Sequence, residues 1–179
     1  VRIWFICGYR GDVNPVDRVR AALVEVGVGD VVLELSESAR TSQMAAEAVG
    51  AHYGISVPVG AIAKSLLFVI DARPTLVIAS GDRNVDHKLL GALFNVGRKK
   101  VKLADAVTVL DVTGYEVGGV PPIGHPRSLP TLIDEALSRF QTVWAAAGAH
   151  HAVFPIEYAR LIEITQGRVA TLTEPKSSE

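Results

Sequence analysis

Hydrophobic positions along this chain switch repeatedly between two periods. From Val16 to Val26, the apolar residues Val16, Val19, Ala22, Leu23 and Val26 recur at three- and four-residue spacing, which puts them on one face of a helix. Asn14-Pro15 supplies the start, a capping side chain followed by a ring suited to the first turn, and Gly27 supplies the stop. Val31–Leu35 is short and rich in branched residues and predicts a strand. Thr41 caps a second predicted helix that carries Met44, Ala45, Ala48 and Val49 and closes at Gly50. Residues 51–59 read as a loop.

The stretch Gly60–Asp71 then reads as a buried strand, because both of its alternating faces are apolar. One residue breaks the pattern. Lys64 shares a face with Ile62, Leu66, Phe68 and Ile70, and a buried ammonium costs several kcal/mol unless an anion or strong acceptor receives it. It either snorkels to a sheet rim or points into a pocket for a negatively charged ligand. Asp71–Pro74 is a turn, and Thr75–Ala79 returns as the hairpin partner.

Beyond the hairpin, Val85, Leu89, Ala92 and Leu93 predict the inner face of a third helix. A fourth runs from Ala104 to Thr113 and ends at Gly114, and Tyr115–Val117 leads as a strand into a loop, Gly118–Gly124. His125–Ile133 is extended and broken by prolines, and Asp134–Phe140 is one or two helical turns. Val143–Ala147 and Ala152–Phe154 are strands joined by the turn Gly148–His151. Pro155 starts a last helix with Tyr158, Leu161 and Ile162 inward, and Arg168–Leu172 closes the fold as a strand. Neighbouring strands joined by short turns, without regular strand–helix–strand alternation, imply one α+β domain on a mixed, largely antiparallel sheet. Residues 1–13 read as an N-terminal extension, 14–172 as the domain and 173–179 as a flexible polar tail.

The 179 residues suffice for one real core, and 49% hydrophobic with 21% charged residues is ordinary globular composition. The net charge of −1 argues against a protein that grips long nucleic acid by electrostatics alone; a small ligand or an RNA end remains open. A single cysteine, Cys7, excludes an intrachain disulfide or a cysteine metal site and sets a reducing, cytoplasmic compartment as the expectation. No apolar run approaches transmembrane length, and neither a membrane nor DNA is an expected partner.

Three glycines and two prolines within Gly118–Gly124 specify a shape. Such a loop either presents backbone N–H groups to an anion or polarised carbonyl, or is simply a rigid turn. It lacks the Gly-Lys-Ser/Thr ending of a phosphate-binding P-loop. No Gly-x-Ser-x-Gly elbow and no paired-histidine spacing is present, so neither a serine elbow nor a metal is expected. His150 and His151 fall in a turn, His125 follows the glycine loop, and His52 and His87 read as surface residues. Arg98, Lys99, Lys100 and Lys102 form a basic run of the kind usually solvated.

Two segments together resemble a known family. Ile62-Ala-Lys64-Ser65-Leu66, followed about fifty residues later by Thr113-Gly-Tyr115 and Gly118-Gly-Val-Pro-Pro122-Ile-Gly124, is similar to the YbaK/EbsC-type aminoacyl-tRNA deacylases, relatives of the editing domain of bacterial prolyl-tRNA synthetases. The resemblance spans residues 15–172. It implies a compact domain on a mixed, barrel-like sheet and hydrolysis of the ester joining a wrong amino acid to a tRNA 3′ end, with no cofactor. It makes Lys64 the essential lysine and Gly118, Gly119 and Pro122 part of a catalytic Gly-x-x-x-Pro loop. Thr41, Ser65, Tyr115, Val120, Pro121, Gly124, His125, Gly148 and His150 become candidate substrate contacts. The implied partner is the acceptor end of a mischarged tRNA, with an aminoacyl-tRNA synthetase as a further candidate. Gly148-Ala-His150-His151 departs from the Gly-Lys-Arg-Gly of cysteine-specific members. A non-catalytic module that binds aminoacyl-RNA or a nucleotide is the alternative in another class.

Overall fold

The computed structural model describes residues 13–36 and 39–176; residues 1–12 of the expected extension, with Cys7, and the last three residues of the expected tail lie outside the described residues. The first helix, α1, is Pro15–Glu25. Asn14 Oδ1 caps it by accepting from Val16 N–H at 2.9 Å, and Val16, Val19 and Leu23 are buried. The second, α2, is Ser42–Tyr53, and Thr41 Oγ1 accepts from Met44 N–H at 3.1 Å. It runs past Gly50, the expected stop, and ends at left-handed Gly54. Gly50 serves another purpose, since a Cβ there would lie 2.7 Å from Ile55 O where the chain turns back past the helix.

The strands are β1 Leu33–Glu34, β2 Ile62–Ile70, β3 Arg73–Ser80, β4 Arg83–Val85, β5 Val101–Leu103, β6 Thr131–Asp134, β7 Thr142–Ala146, β8 Ala152–Glu157, β9 Arg168–Ala170 and β10 Thr173–Pro175. The remaining helices are α3 His87–Leu93, α4 Ala106–Thr113 and α5 Tyr158–Thr165. The main sheet runs β1-β8-β7-β2-β3-β6-β9, with β5 also on β2. The pairs β2–β7, β3–β6 and β6–β9 are parallel and the others antiparallel. The fold is the expected α+β domain on a mixed sheet. Among the described residues the strand path does not close on itself, so the barrel-like element of the expectation is an open sheet instead.

Strand β2 is the centre of this arrangement. On one side β3 pairs with it over its length from Ala63 to Ile70, through a tight turn at Asp71 and Ala72, both at positive φ. On the other side two short strands share it. β7 covers Ile62 and Ala63, and β5 covers Phe68 to Ile70. Among the described residues no strand pairs with the Lys64–Leu66 segment on that side. Ala63 and Leu67 project into the largest core cluster with Val19 and Leu23 of α1 and Leu161 of α5. On the opposite face, Ile62 packs with Ala45, Ala46 and Val49 of α2, while Phe68 and Ile70 pack with Leu90 of α3. Lys64 falls between those two smaller clusters.

Several expected elements shift, each for a physical reason. Val85 belongs to β4, and α3 buries Leu90 rather than the exposed Ala92. The basic run leads into β5, an unexpected strand in which only Val101 is buried. Tyr115–Val117 is a turn, not a strand. Pro155 lies inside β8 instead of starting a helix. Ala147 N–H donates to Ala152 O, and the alternation this sets leaves the Trp144–Pro155 pair without a ladder bond, so no N–H is missed there. The expected loose tail begins too early. Thr173–Pro175 is β10, paired with β4, and its Thr173 Oγ1 donates to the buried carboxylate of Asp134 at 2.7 Å.

One ion pair ties the β3–β4 turn to the short 3-10 helix Glu135–Arg139. Arg139 donates to both oxygens of Asp82, at 2.8 and 3.0 Å, and to Ser80 Oγ at 2.8 Å. The guanidinium holds the Asp82 carboxyl down to about 2, below its ordinary 3.8. Stability from this pair is therefore complete above about pH 4 and is lost as pH falls toward 2. Asp82→Asn is expected to lower the unfolding midpoint at pH 7, by less than about 1 kcal/mol because the pair is partly exposed. Its deficit relative to wild type should shrink below pH 4, as read by urea unfolding across pH.

Candidate active site

A cavity of about 360 Å³ opens where β2 lacks a neighbour. The lead-in to α2 gives it Arg40, Thr41 and Ser42, and β2 gives Ile62 through Leu67. The end of β5 adds Leu103, the glycine loop adds Val117, Gly118 and Val120, and the β7–β8 segment adds Trp144, Ala149 and His150. Lys176, just after β10, also reaches it. Among the described residues no aspartate or glutamate lines this cavity, whereas Arg40, Lys64 and Lys176 do.

Lys64 is half-buried, and its ammonium donates to Arg83 O. Burial lowers its pKa, the nearby Lys176 lowers it further, and Asp134 and Asp82 oppose them. Ser65 beside it has a buried Oγ with no hydrogen-bond partner among the described residues. Leu67 O accepts from Ala104 N–H on the β5 side, so strand alternation turns the Ser65 N–H and C=O the same way, into the uncovered gap.

The glycine loop meets the same cavity and is fixed by contacts only glycine permits. Gly118 has φ +90°, and a Cβ there would lie 2.5 Å from Cε1 of His150, so the imidazole rests directly on this glycine. His150 Nδ1 is buried and unpartnered. Gly119 is stitched to the β7–β8 segment. Its C=O accepts from Gly148 N–H at 2.9 Å, and its own N–H donates to Glu116 O at 3.0 Å. That N–H is therefore engaged within the loop. Gly118 and Val120 N–H make no hydrogen bond among the described residues, and Pro121 and Pro122 have no N–H to give. Gly148, at φ +95°, packs so closely on α1 that a Cβ would sit 2.6 Å from Pro15 O.

Tyr115, Gly124 and His125 lie behind the loop and do not line the cavity. Tyr115 is buried, donates its hydroxyl to Gly124 O at 2.8 Å, and carries the Arg18 guanidinium 4.5 Å above its ring. His125 packs edge-on against Tyr115, with ring centroids 5.9 Å apart. Both its nitrogens are buried without a hydrogen bond, and burial lowers its pKa. The Thr113 and Pro121 carbonyls lie close enough to oppose that shift without reaching hydrogen-bond geometry.

The aminoacyl-tRNA editing domain family matches residues 36–164, most of the chain. The chain belongs to this family. YwhH of Bacillus subtilis, an uncharacterised protein, is 32% identical over 77% of this chain and 83% of its own length. EbsC of Enterococcus faecalis, described as a proposed Cys-tRNA(Pro)/Cys-tRNA(Cys) deacylase, is 28% identical over 73% of this chain and 77% of its own. The proline–tRNA ligase of Lactobacillus gasseri is 30% identical over 60% of this chain, a match that spans 18% of that enzyme. The crystal structure of a proposed trans-editing enzyme for prolyl tRNA synthetase superposes with a TM-score of 0.81 at 36% identity, covering 92% of this chain and 99% of that one.

Of the residues singled out from the sequence, Thr41, Lys64, Ser65, Gly118, Val120 and His150 share the editing domain's cavity. Gly119, Pro121, Pro122, Tyr115, Gly124, His125 and Gly148 stand behind it. Arg40, Trp144, Leu103 and Lys176 line it unforeseen. Trp144 sits in a strand whose apolar pattern reads as core, and Arg40 immediately precedes the Thr41 cap. Among the described residues no His/Cys/Asp/Glu group could hold a metal, and no helix is long and apolar enough to cross a membrane.

His125 supplies a test of the loop's support. Its folded pKa lies below the ordinary 6.5, so the unfolded chain binds the proton more readily and stability falls as pH drops below 6.5. His125→Leu is expected to flatten that part of the stability–pH curve, measured by denaturant unfolding from pH 8 to pH 5.

Proposed function

We propose that this protein is an aminoacyl-tRNA deacylase acting in trans, which hydrolyses the ester of a wrongly attached amino acid at a tRNA 3′ end. One observation carries the reading. Lys64 on β2 and the Val117–Val120 segment, more than fifty residues away in the chain, line one cavity of a size suited to a small aminoacyl group. Family membership and the kinship with EbsC and the proline–tRNA ligases support the substrate class.

The chemistry follows from the groups present. Among the described residues no base is bonded to Ser65 Oγ to activate it as a nucleophile, and water is the attacking species. Attack on the ester carbonyl forms a tetrahedral oxyanion. The Gly118 and Val120 N–H groups are the loop donors left to receive it, each worth roughly 3–4 kcal/mol in a dry site. Collapse breaks the bond to the ribose oxygen, which leaves as a hydroxyl after taking one of the water's protons, while the amino acid leaves as a carboxylate and the other proton passes to solvent. A free ribose hydroxyl of the substrate helps relay that proton. Lys64 holds a phosphate or ribose oxygen of the terminal adenosine and so fixes the ester beneath the loop. His150, lying on Gly118, closes the side of the carbonyl site. The cavity must hold the ester and part of the ribose as well as the side chain, so bulky amino acids are rejected by size.

In a deacylation screen across mischarged tRNAs, Lys64→Ala is expected to lower kcat/KM by about 100-fold on the preferred substrate. Unchanged turnover would remove Lys64 from the mechanism, and binding with an intact ester would mark a recognition module instead. Gly118→Ala is expected to lose activity and some stability together, because its methyl displaces the His150 ring and the backbone lies at positive φ. Full activity in that variant would show that substrate does not approach this part of the loop.

A further inference from the structure

We propose that Lys176 is a second substrate-binding ammonium, and that it clasps one phosphodiester of the RNA end together with Lys64. The identity of the phosphate's owner rests on the deacylase reading; the anion site itself does not.

The geometry centres on the turn between β3 and β4. Lys176 Nζ donates to Gly81 O at 2.9 Å, and Lys64 Nζ donates to Arg83 O. Two carbonyls, two residues apart at the β3–β4 turn, thus hold two ammonium groups, one from the central strand β2 and one from just after β10. Both side chains line the same cavity, with Arg40 as a third cation and, among the described residues, no carboxylate in the lining. The two acids that act on the Lys64 ammonium are already occupied. Asp82 is bound by Arg139 and Ser80, and Asp134 accepts from Thr173 Oγ1 and Leu172 N–H.

Each ammonium has three donors and spends one on its carbonyl, leaving two free to turn toward the cavity. Like charges held near one another in a part-buried space are unfavourable until an anion arrives between them. The mutual effect is already present, since Lys176 is one of the groups that lowers the Lys64 pKa. In an aminoacyl-tRNA the amino acid's own carboxyl is esterified and uncharged, so the anions at that end of the molecule are phosphates. A phosphodiester offers two non-bridging oxygens, one for each lysine.

The position of Lys176 is built, not incidental. Antiparallel pairing sets Thr173 against Val85, Glu174 against Asn84 and Pro175 against Arg83, so the next residue arrives at the β3–β4 turn. The buried Thr173–Asp134 bond fixes that register. Lys176 lies beyond the segment matched by the editing family, residues 36–164. Half of the clasp is therefore supplied by chain outside the matched domain.

The test compares adenosine 5′-monophosphate with adenosine by calorimetric titration of the full chain, alongside deacylation kinetics. Wild type is expected to prefer the monophosphate. Lys176→Ala and Lys176→Gln should weaken monophosphate binding about tenfold without changing adenosine binding, and Lys176→Arg should retain it. On mischarged tRNA the same variants should raise KM about tenfold with kcat nearly unchanged, and should flatten the salt dependence by about 0.7 in log–log slope. Thermal unfolding checks that β10 remains docked. Equal monophosphate affinity in wild type and Lys176→Ala, or no preference of wild type for the monophosphate, overturns the clasp. If the variants lose the monophosphate while wild type hydrolyses no aminoacyl-tRNA, the clasp stands and the deacylase reading falls. If wild type hydrolyses and the variants keep its KM, the reverse holds.

Discussion

The site exists because one strand's hydrogen-bond ladder is interrupted. A buried strand normally satisfies its backbone on both sides, and β2 does so against β3 from end to end. On its other side β7 and β5 each cover only a terminus, and the backbone of Ser65 is turned into the space between them. An opening in the middle of a sheet is costly unless polar groups line it and something polar enters it. The residues at that opening are a lysine and a serine, where every other position of β2 is apolar. The sheet thus supplies donors and acceptors from its own centre, on the most rigid element of the fold.

The second wall of the cavity is held by the absence of side chains. Gly118, Gly119 and Gly148 each sit where a methyl group would strike the imidazole of His150, the backbone at Ala149 or the first turn of α1. These contacts join the loop to the β7–β8 segment and that segment to α1. Behind them Tyr115, Arg18 and His125 fill the remaining space with stacked and edge-on rings. The loop is therefore preorganised by packing on one side and leaves two N–H groups on the other. The unpartnered nitrogens of His125 are the polar cost of that support.

Much of this was legible in the sequence because it depends on local rules. The Asn14, Thr41 and Gly114 caps, the β2–β3 hairpin and the conspicuous Lys64 follow from residue type and spacing. The pairing of Lys64 with the glycine loop came from family resemblance, and the cavity joins them. What escaped depends on contacts between distant segments. Strand β5 hides in a basic run because an edge strand of three residues needs only one buried side chain, Val101. Strand β10 hides in a polar tail because its anchor is a hydroxyl bonded to Asp134, not an apolar face. Gly119 and Pro122 read as site residues because the motif contains them, while the engaged N–H of Gly119 and the place of both behind the cavity depend on the folded loop. Gly50 and Pro155 mislead for the same reason. Each marks a tertiary close approach or an unpaired ladder position and not the end of an element.

The long β2–β3 hairpin also bears on how the chain assembles. Its strands are joined by a two-residue turn, so pairing them closes almost no loop. The parallel joins of β7 to β2 and β6 to β3 close loops of some fifty residues or more, at a higher entropic cost. Contact order accordingly places the hairpin early and the flanking strands late. The opening beside Ser65 is then a product of the final stage, formed when β7 and β5 arrive separately and stop short of each other.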